Sequence, residues 1–411
     1  MNKKDVVIFI ESNTSGSGED FFKIVRLKGL RAILLTTNKE LYPWAEKYAQ
    51  IVECNTNAPD ALEAQIKMLT EEHNIKGIGT SSDYYIRTAA QMASVFNLSG
   101  PDAQSIENTQ DKSKMRKILK DAGLTTPTIA TITFKDDIEK KVAGMSFPVV
   151  AKPVTGTGSE KVRLCANLAE LDTCINRILS VTHNSRGQEL PPYALVEEYI
   201  EGQEYSVELL CNPEPCVITV IKKHMGPEPN FLEIGHDVPA PISKSEWQSC
   251  EQEAIKATKA MQLTFGCLHV ELKLGKTGPV IIEINTRLAG GMLPDLIKRV
   301  YDIDLIKAQI NAILDKKSDI PTKIEPKTYA CIRFLVPPHN GRLSELKGFE
   351  TLEEDIDHFI YDLRFKQFHE LKGDFTDRIG ALIVSDPDQA RCIEKANTAV
   401  ASIRYIYDDT A

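Results

Sequence analysis

The first hundred residues switch repeatedly between two apolar periodicities, and that switching restricts the chain to a small group of folds. Short apolar runs, DVVIFIES, RAILLTT, IVECN and IKGIGTS, alternate with helical rhythms around residues 19–28 and 59–73. Strands joined by crossover helices lie parallel, so residues 1–110 are expected to form a Rossmann-like α/β unit. The loop SNTSGSGED follows the first strand, at the carboxyl end where such sheets bind ligands. It reads first as a flexible βα turn and second as a binding loop.

From Asp111 the pattern changes. DKSKMRKILKDAG carries a capping aspartate, a helical apolar rhythm and a stop at Gly123. Strand-rich sequence follows in TIATI, FPVVAKPV, EKVRLC, YALVEEYI, EYSVELLC and CVITVIKK, before a helix at about 243–261 and another near 292–314. The last part, from YACIRFLVPP to the amphipathic PDQARCIEKANTAVASIRYIY, reads as an α+β lobe. The expected division is therefore 1–110, 111–315 and 316–411. The polar stretch THNSRGQELPP, 182–192, is expected to be a mobile surface loop.

Composition removes several classes of function. With 42% hydrophobic and 26% charged residues the chain has the balance of a soluble globular protein, and no apolar run approaches the ~20 residues of a membrane span. The N-terminal MNKKDVVIFIES has too short an apolar run for a signal peptide and is expected to be a strand. Nine cysteines without a C-x-x-C pair argue against a disulfide framework and a structural zinc site, which suits a reducing cytoplasm. A net charge of −9 argues against nucleic acid as a partner and leaves small molecules. A homodimer is compatible with this composition.

VVAKPVTGTGSEKV, 149–162, places Lys152 in an apolar run and follows it with Thr155, Gly156, Gly158 and Ser159. A phosphate-binding loop of the Walker type would end in Gly-Lys-Ser/Thr and enter a helix, and a dinucleotide fingerprint would need a third glycine where Lys161 stands. Both are excluded. A glycine loop between antiparallel strands remains, serving either as a lid over a phosphate chain or as a plain hairpin connection.

The stretch CLHVELKLGKTGPVIIEINTRLAGG constrains chemistry most. A five-residue loop at 275–279 sets Glu271 opposite Glu283 on an antiparallel pair. Such neighbours lie ~5 Å apart, where two ionised carboxylates repel unless a cation lies between them. Alternation puts Asn285, and Arg287 if the strand continues, on the face of Glu283. Two carboxylates and an amide oxygen are hard ligands suited to Mg²⁺. A four-residue loop would instead turn Glu271 to the opposite face, and a solvated polar face is the competing reading. Gly290 and Gly291 follow, allowing close approach of backbone to a ligand.

In ALVEEYIEGQEYSVE, alternation places Glu197 and Tyr199 on one face, Gly202 breaks the strand and Glu204 starts the next. Unpaired backbone groups and carboxylates there could read an adenine edge and a ribose, or simply form an acidic hairpin.

Lys112 at a helix head, Lys152, the glycine loop, VEEYIEGQE and the Glu271…EINTR pair occur in the order seen in ATP-grasp ligases, which the chain resembles over roughly 100–315. The L-amino acid ligases that make dipeptides are the nearest resemblance, with carbamoyl-phosphate-synthetase-like and biotin-carboxylase-like members also similar. The resemblance implies an α/β and α+β ATP-grasp fold, a preceding Rossmann-like domain and a lid subdomain at about 140–210. It further implies that Lys112, Lys152 and the loop contact ATP phosphates, that Glu197 contacts the adenine amine, and that Tyr199 and Ile200 contact adenine through backbone. Glu204 would hold the ribose. Glu271 and Glu283, assisted by Asn285, would bind Mg²⁺, for which Mn²⁺ could substitute, and Arg287 would hold the transferred phosphoryl group. The expected reaction is ADP-forming ligation of two L-amino acids through an acyl phosphate. His236, Gly290, Gly291 and the strand-end segment TSSDYY are expected to lie near the substrate, although a locally bonded loop histidine fits His236 equally well. The alternatives are a bicarbonate-activating enzyme of the carboxylase or carbamoyl-phosphate type and a non-catalytic nucleotide-binding module.

Overall fold

The computed structural model describes residues 3–348, 356–361 and 368–408. Its N-terminal unit consists of β1 (Lys4–Ile10), α1 (Gly18–Leu27), β2 (Arg31–Thr36), β3 (Ala49–Glu53), α2 (Pro59–Glu72), β4 (His73–Gly79) and α3 (Ile86–Val95). The four strands are parallel in the order β3-β2-β1-β4, as the alternating periodicity requires. Val6 to Ile10 are fully buried, because helices cover both faces of a parallel sheet and leave no polar side for the strand to alternate with. The chain winds outward from β1 to β3 and then returns to place β4 on the other side. The carboxyl ends of β1 and β4 consequently flank a crevice.

Next come α4 (Ala103–Gln110) and α5 (Lys112–Asp121), the latter capped by Asp111, whose carboxylate accepts from the Ser113 and Lys114 amides. A small antiparallel sheet, in the order β5-β8-β6-β7, is formed by β5 (Ile129–Ile132), β6 (Val149–Pro153), β7 (Arg163–Cys165) and β8 (Ala194–Glu198). The short α6 (Ile138–Val142) and the longer α7 (Leu168–Leu179) cover one of its faces. Leu171, Cys174, Ile175 and Ile178 form the buried stripe of α7 at helical spacing.

The stretch 182–192, expected to be mobile, is instead held against the N-terminal unit. Arg186 donates to the Tyr42 hydroxyl at 3.1 Å and to the Ser12 carbonyl at 3.3 Å, and Gln188 donates to the Tyr84 carbonyl at 3.1 Å. Its polar composition signals hydrogen-bonding capacity, which a neighbouring domain satisfies here in place of water.

The main sheet has the order β13-β12-β9-β10-β11-β14-β17-β16. It is built from β9 (Gln203–Cys211), β10 (Pro215–Met225), β11 (Glu233–Val238), β12 (Gly266–Gly275) and β13 (Gly278–Asn285), extended by β14 (Tyr329–Leu335), β16 (His358–Tyr361) and β17 (Gly380–Asp386). Strands from both sides of residue 315 thus share one sheet. Between β11 and β12, α8 (Lys244–Ala260) crosses and buries Cys250, Ala254 and Ala257 against the sheet. The helix expected near 292–314 is two, α9 (Leu293–Tyr301) and α10 (Leu305–Ile313). Asp302 ends the first in the left-handed conformation, at φ 60°, and the Asp304 carboxylate caps the second. These helices form a core with β1, α1 and β14, tying the N-terminal unit to the main sheet. α11 (Gln389–Ser402) packs on β14 and β17, and β15 (Leu343–Lys347) pairs with β18 (Arg404–Tyr407). Among the described residues no helix is long and apolar enough to cross a membrane. All nine cysteines are free.

Candidate functional site

β12 and β13 decide the position of the paired carboxylates. Gly275 pairs with Gly278, so the connection is the two residues Lys276 and Thr277, not the five expected. Without interruption that turn would set Glu271 opposite Ile282. A bulge removes Ile282 from the ladder, so that Leu272 pairs with Ile281 and Glu271 with Glu283. The expected pairing is present, then, but a bulge produces it and not a long loop. The bulge is supported from α5: Arg116 donates to the Ile281 carbonyl at 2.6 Å and the Ile282 carbonyl at 2.8 Å.

A cleft of about 730 Å³, open in part to solvent, lies between the small sheet and this hairpin. Its lining includes Lys112, Lys152, Glu197, Tyr199, Ile200, Glu204, Glu271 and Glu283. Thr155, Gly156 and Ser159 of the glycine loop cover it. The loop does join antiparallel strands, and four of its residues, Gly156, Gly158, Ser159 and Lys161, have positive φ. Lys112 reaches from the head of α5 to the Gly156 carbonyl at 3.0 Å and to Glu283 at 3.2 Å. Gly158 faces elsewhere: a Cβ there would come within 2.7 Å of the Phe375 ring, so the tip of the loop packs on the C-terminal segment.

Lys152 and Glu197 are both buried, and the two pair directly at 2.5 Å. Arg116 engages Glu197 from the other side at 2.7 and 3.2 Å, so both carboxylate oxygens are already occupied. Burial by itself would raise Glu197, yet Arg116 and Lys152 hold its carboxyl down at about 2. Burial pushes Lys152 down against the attraction of Glu197.

A second charge cluster, which includes the lining residues Glu204 and Glu271, surrounds Lys223 of β10. Its ammonium meets Glu204 at 2.9 Å and Glu233 and Glu271 at 2.7 Å each. The penalty of burial is overcome by these three carboxylates, which raise Lys223 well above its ordinary value. The other oxygen of Glu271 meets His269 at 3.0 Å, and His269 in turn meets Glu208 at 2.6 Å. Burial opposes a charge on His269, but these partners lift it to about 10.

The remaining predicted residues lie outside the cavity wall. Asn285 is buried opposite His269 on the ladder. Arg287 holds Asp83 through Nε at 2.7 Å and Nη2 at 2.6 Å, and its Nη2 also donates to the Thr157 hydroxyl of the glycine loop at 3.0 Å. His236 is buried on β11 beside Gly291, where an added Cβ would come within 3.2 Å of its Nε2. Gly290 is exposed. Burial pushes His236 down to about 3 despite Glu233, and its Nδ1 has no partner among the described residues.

The two histidines are therefore expected to be in opposite states at pH 8, with His269 cationic and His236 neutral, and ¹⁵N-detected imidazole NMR reads this directly. The raised His269 stabilises the fold below its unfolded value near ~6.5 and loses that contribution as pH rises through about 10. His236 has the opposite sign, its contribution being present above ~6.5 and lost as pH falls toward about 3.

Sequence reasoning missed Arg116, Lys223, His269 and Lys273, although each carried a signal. On α5 the buried stripe is Lys112, Met115, Arg116 and Leu119, at the spacing of an apolar face. On β12 the run alternates Leu268, Val270 and Leu272 on the core face with His269, Glu271 and Lys273 on the other. Lys273 lies 4.5 Å from the centre of the Tyr199 ring and donates to the Ile200 carbonyl at 3.2 Å.

The donors also suit a divalent cation. Two facing carboxylates offer hard oxygens. Among the described residues no group of three or more His, Cys, Asp or Glu side chains could hold a metal alone. Such a partial set fits an ion like Mg²⁺, which takes one or two protein carboxylates and completes its shell with phosphate oxygens and water.

Residues 145–295 match the model of the ATP-grasp domain. Protein y4rH of Sinorhizobium fredii is 28% identical over 404 residues, covering 97% of this chain and 82% of that protein. Alanine–anticapsin ligase of Bacillus subtilis is 25% identical over 305 residues, 68% of this chain, and the match spans only 64% of that ligase. Among solved structures, the L-amino acid ligase from Bacillus licheniformis superposes with a TM-score of 0.84 over 100% of both chains at 20% identity, a likeness of fold. Residues 145–295, which include the glycine loop and the carboxylate hairpin, thus match the ATP-grasp domain, and the chain as a whole has the fold seen in an L-amino acid ligase.

Proposed function

We propose that this protein is an ADP-forming carboxylate–amine ligase that joins two L-amino acids. The observation that carries the reading is the facing pair Glu271 and Glu283 beneath a glycine loop, with Lys112 and Lys152 on the same cavity. In this reading residues 1–110 and 316–411 close the substrate side of a nucleotide-binding region at 111–315, and the small sheet is its lid.

A carboxylate has no adequate leaving group and cannot be attacked by an amine in water. One of its oxygens therefore bonds to the γ-phosphorus of ATP as the bond to ADP breaks. The amine of the second amino acid then bonds to the acyl carbon, phosphate leaves, and the amine loses a proton. Lys112 and Lys152 meet the triphosphate charge, and Glu197, held by Arg116, keeps Lys152 directed into the cavity. Tyr199, Ile200 and Lys273 form the end that takes the base, and Glu204 the ribose side. Arg287 meets the transferred phosphoryl group, while Asn285 supports the carboxylate pair. Magnesium, bound by Glu271 and Glu283, would neutralise the phosphate oxygens, and manganese has the same preference for hard oxygen ligands. The glycine loop excludes water that would hydrolyse the acyl phosphate.

The test is a matrix of amino acid pairs assayed for phosphate release with ATP and Mg²⁺, with mass spectrometry of the product. At least one pair is expected to give stoichiometric ADP, phosphate and amide. Turnover stimulated by bicarbonate alone would overturn the amino acid reading, and the absence of turnover with any acceptor would favour a binding module.

A further inference from the structure

The crevice between the carboxyl ends of β1 and β4 contains a second cavity, of about 570 Å³, for which the chemistry above has no use. It brings together the SNTSGSGED loop and the TSSDYY segment. The two are fastened where they meet: the Ser12 and Ser81 hydroxyls lie 2.7 Å apart, and the Asn13 amide donates to Ser81 at 2.9 Å. These bonds tie Ser12 and Asn13, at the start of the loop after β1, to the segment after β4.

The walls combine apolar side chains, among them Phe21, Ile86, Leu288 and Ile313, with uncharged polar ones, among them Asn13 and Ser17. Among the described residues Arg287 is the one charged side chain in the lining. Its guanidinium is neutralised by Asp83 and reaches Thr157 of the loop over the larger cavity. Arg287 therefore stands between the two cavities, so a substrate held at its guanidinium could extend a side chain into the smaller one.

We propose that this cavity receives the uncharged side chain of one amino acid substrate. The proposal rests on the ligase reading and specifies its substrate class. An ionised side chain entering here finds no counter-charge, because Asp83 is already paired with Arg287, and it would lose its hydration without compensation. The acidic balance of the whole chain, which suits a basic substrate, does not extend to these walls.

The experiment compares kcat/KM for leucine, phenylalanine, alanine, lysine and glutamate, each paired with a fixed second amino acid, in the wild type, S17W and S17D. Ser17 lines the cavity, and its side chain makes no capping hydrogen bond that would be lost. The wild type is expected to prefer leucine over lysine and glutamate by at least about tenfold, the scale on which apolar pockets discriminate. S17W should lower the leucine-to-alanine ratio by about tenfold, and S17D should raise the lysine-to-leucine ratio. A wild type that uses lysine or glutamate as well as leucine, or ratios that neither variant moves, would refute the proposal and leave the ligase reading standing. If no pair releases ADP, the ligase reading falls, and calorimetry with leucine decides the cavity. Binding that S17W abolishes upholds it, and no binding to the wild type refutes it.

Discussion

Replacing Arg287 by methionine is expected to lower kcat by about two to three orders of magnitude, the usual effect of removing one preorganised donor from a developing anion. Its guanidinium is fixed on three sides, by Asp83 of the N-terminal unit, by the Leu288 carbonyl and by Thr157 of the glycine loop. Burial opposes its charge, but Asp83 more than compensates and raises Arg287. It is therefore a cation at every working pH, held in one orientation before substrate arrives. Lysine would keep the charge and lose the fork, so R287K should recover only a small part of the rate. The effect should fall on kcat, and the affinity for ATP, read by calorimetry, should change far less, because Lys112 and Lys152 line the nucleotide cavity and Arg287 does not. Retention of more than a tenth of wild-type kcat in R287M would remove Arg287 from the phosphoryl-transfer step.

The second large effect is on stability. K223M should destabilise the protein by about 3–5 kcal/mol near pH 7, because it leaves a buried group of carboxylates without its cation. Glu204, Glu233 and Glu271 all lie within 2.9 Å of the lysine nitrogen. The pH dependence separates this from a simple packing defect. In the wild type, burial would raise Glu233 and Glu271, but Lys223 and other cations lower both, Glu233 to about 2. Their contribution is present above the unfolded value of ~4.3 and disappears as pH falls through the folded values. Without Lys223 the carboxylates repel one another, and protonation becomes favourable in the folded state. Denaturant midpoints of wild type and variant should therefore differ most near neutrality, draw together below ~4.3 and converge only as pH falls toward about 2. A deficit that stays constant over that range would mean that the lysine contributes packing alone.

How much of this was legible varies with the distance over which each feature is determined. The parallel N-terminal sheet and the helix capped by Asp111 follow from patterns only a few residues long. The break between α9 and α10 was equally local, since Asp302 and Asp304 supply the stop and the next cap, but the continuous apolar rhythm across it concealed the turn. The buried cations were visible as charges on core-facing positions, Arg116 beside Met115 and Lys223 in phase with Ile221. What could not be read was their partners. Arg116 meets Glu197 across 81 positions of the chain and Ile281 across 165.

The hairpin shows the division most clearly. The short connection between the two strand-like runs alone required that Glu271 and Glu283 belong to antiparallel neighbours, because parallel strands need a crossover of about a dozen or more residues. Whether they share a face depended on one extra residue at Ile282, and the carbonyls beside that bulge are satisfied by a guanidinium from a helix distant in sequence. Likewise, TSSDYY and SNTSGSGED each read as strand-end loops, but the cavity between them exists only because the crossover returns β4 to the far side of β1. Periodicity, capping and turn chemistry act over one or two turns of chain and so survive in the sequence. Register at the bulge, charge partners and cavity walls come from contacts that form only when remote segments pack together.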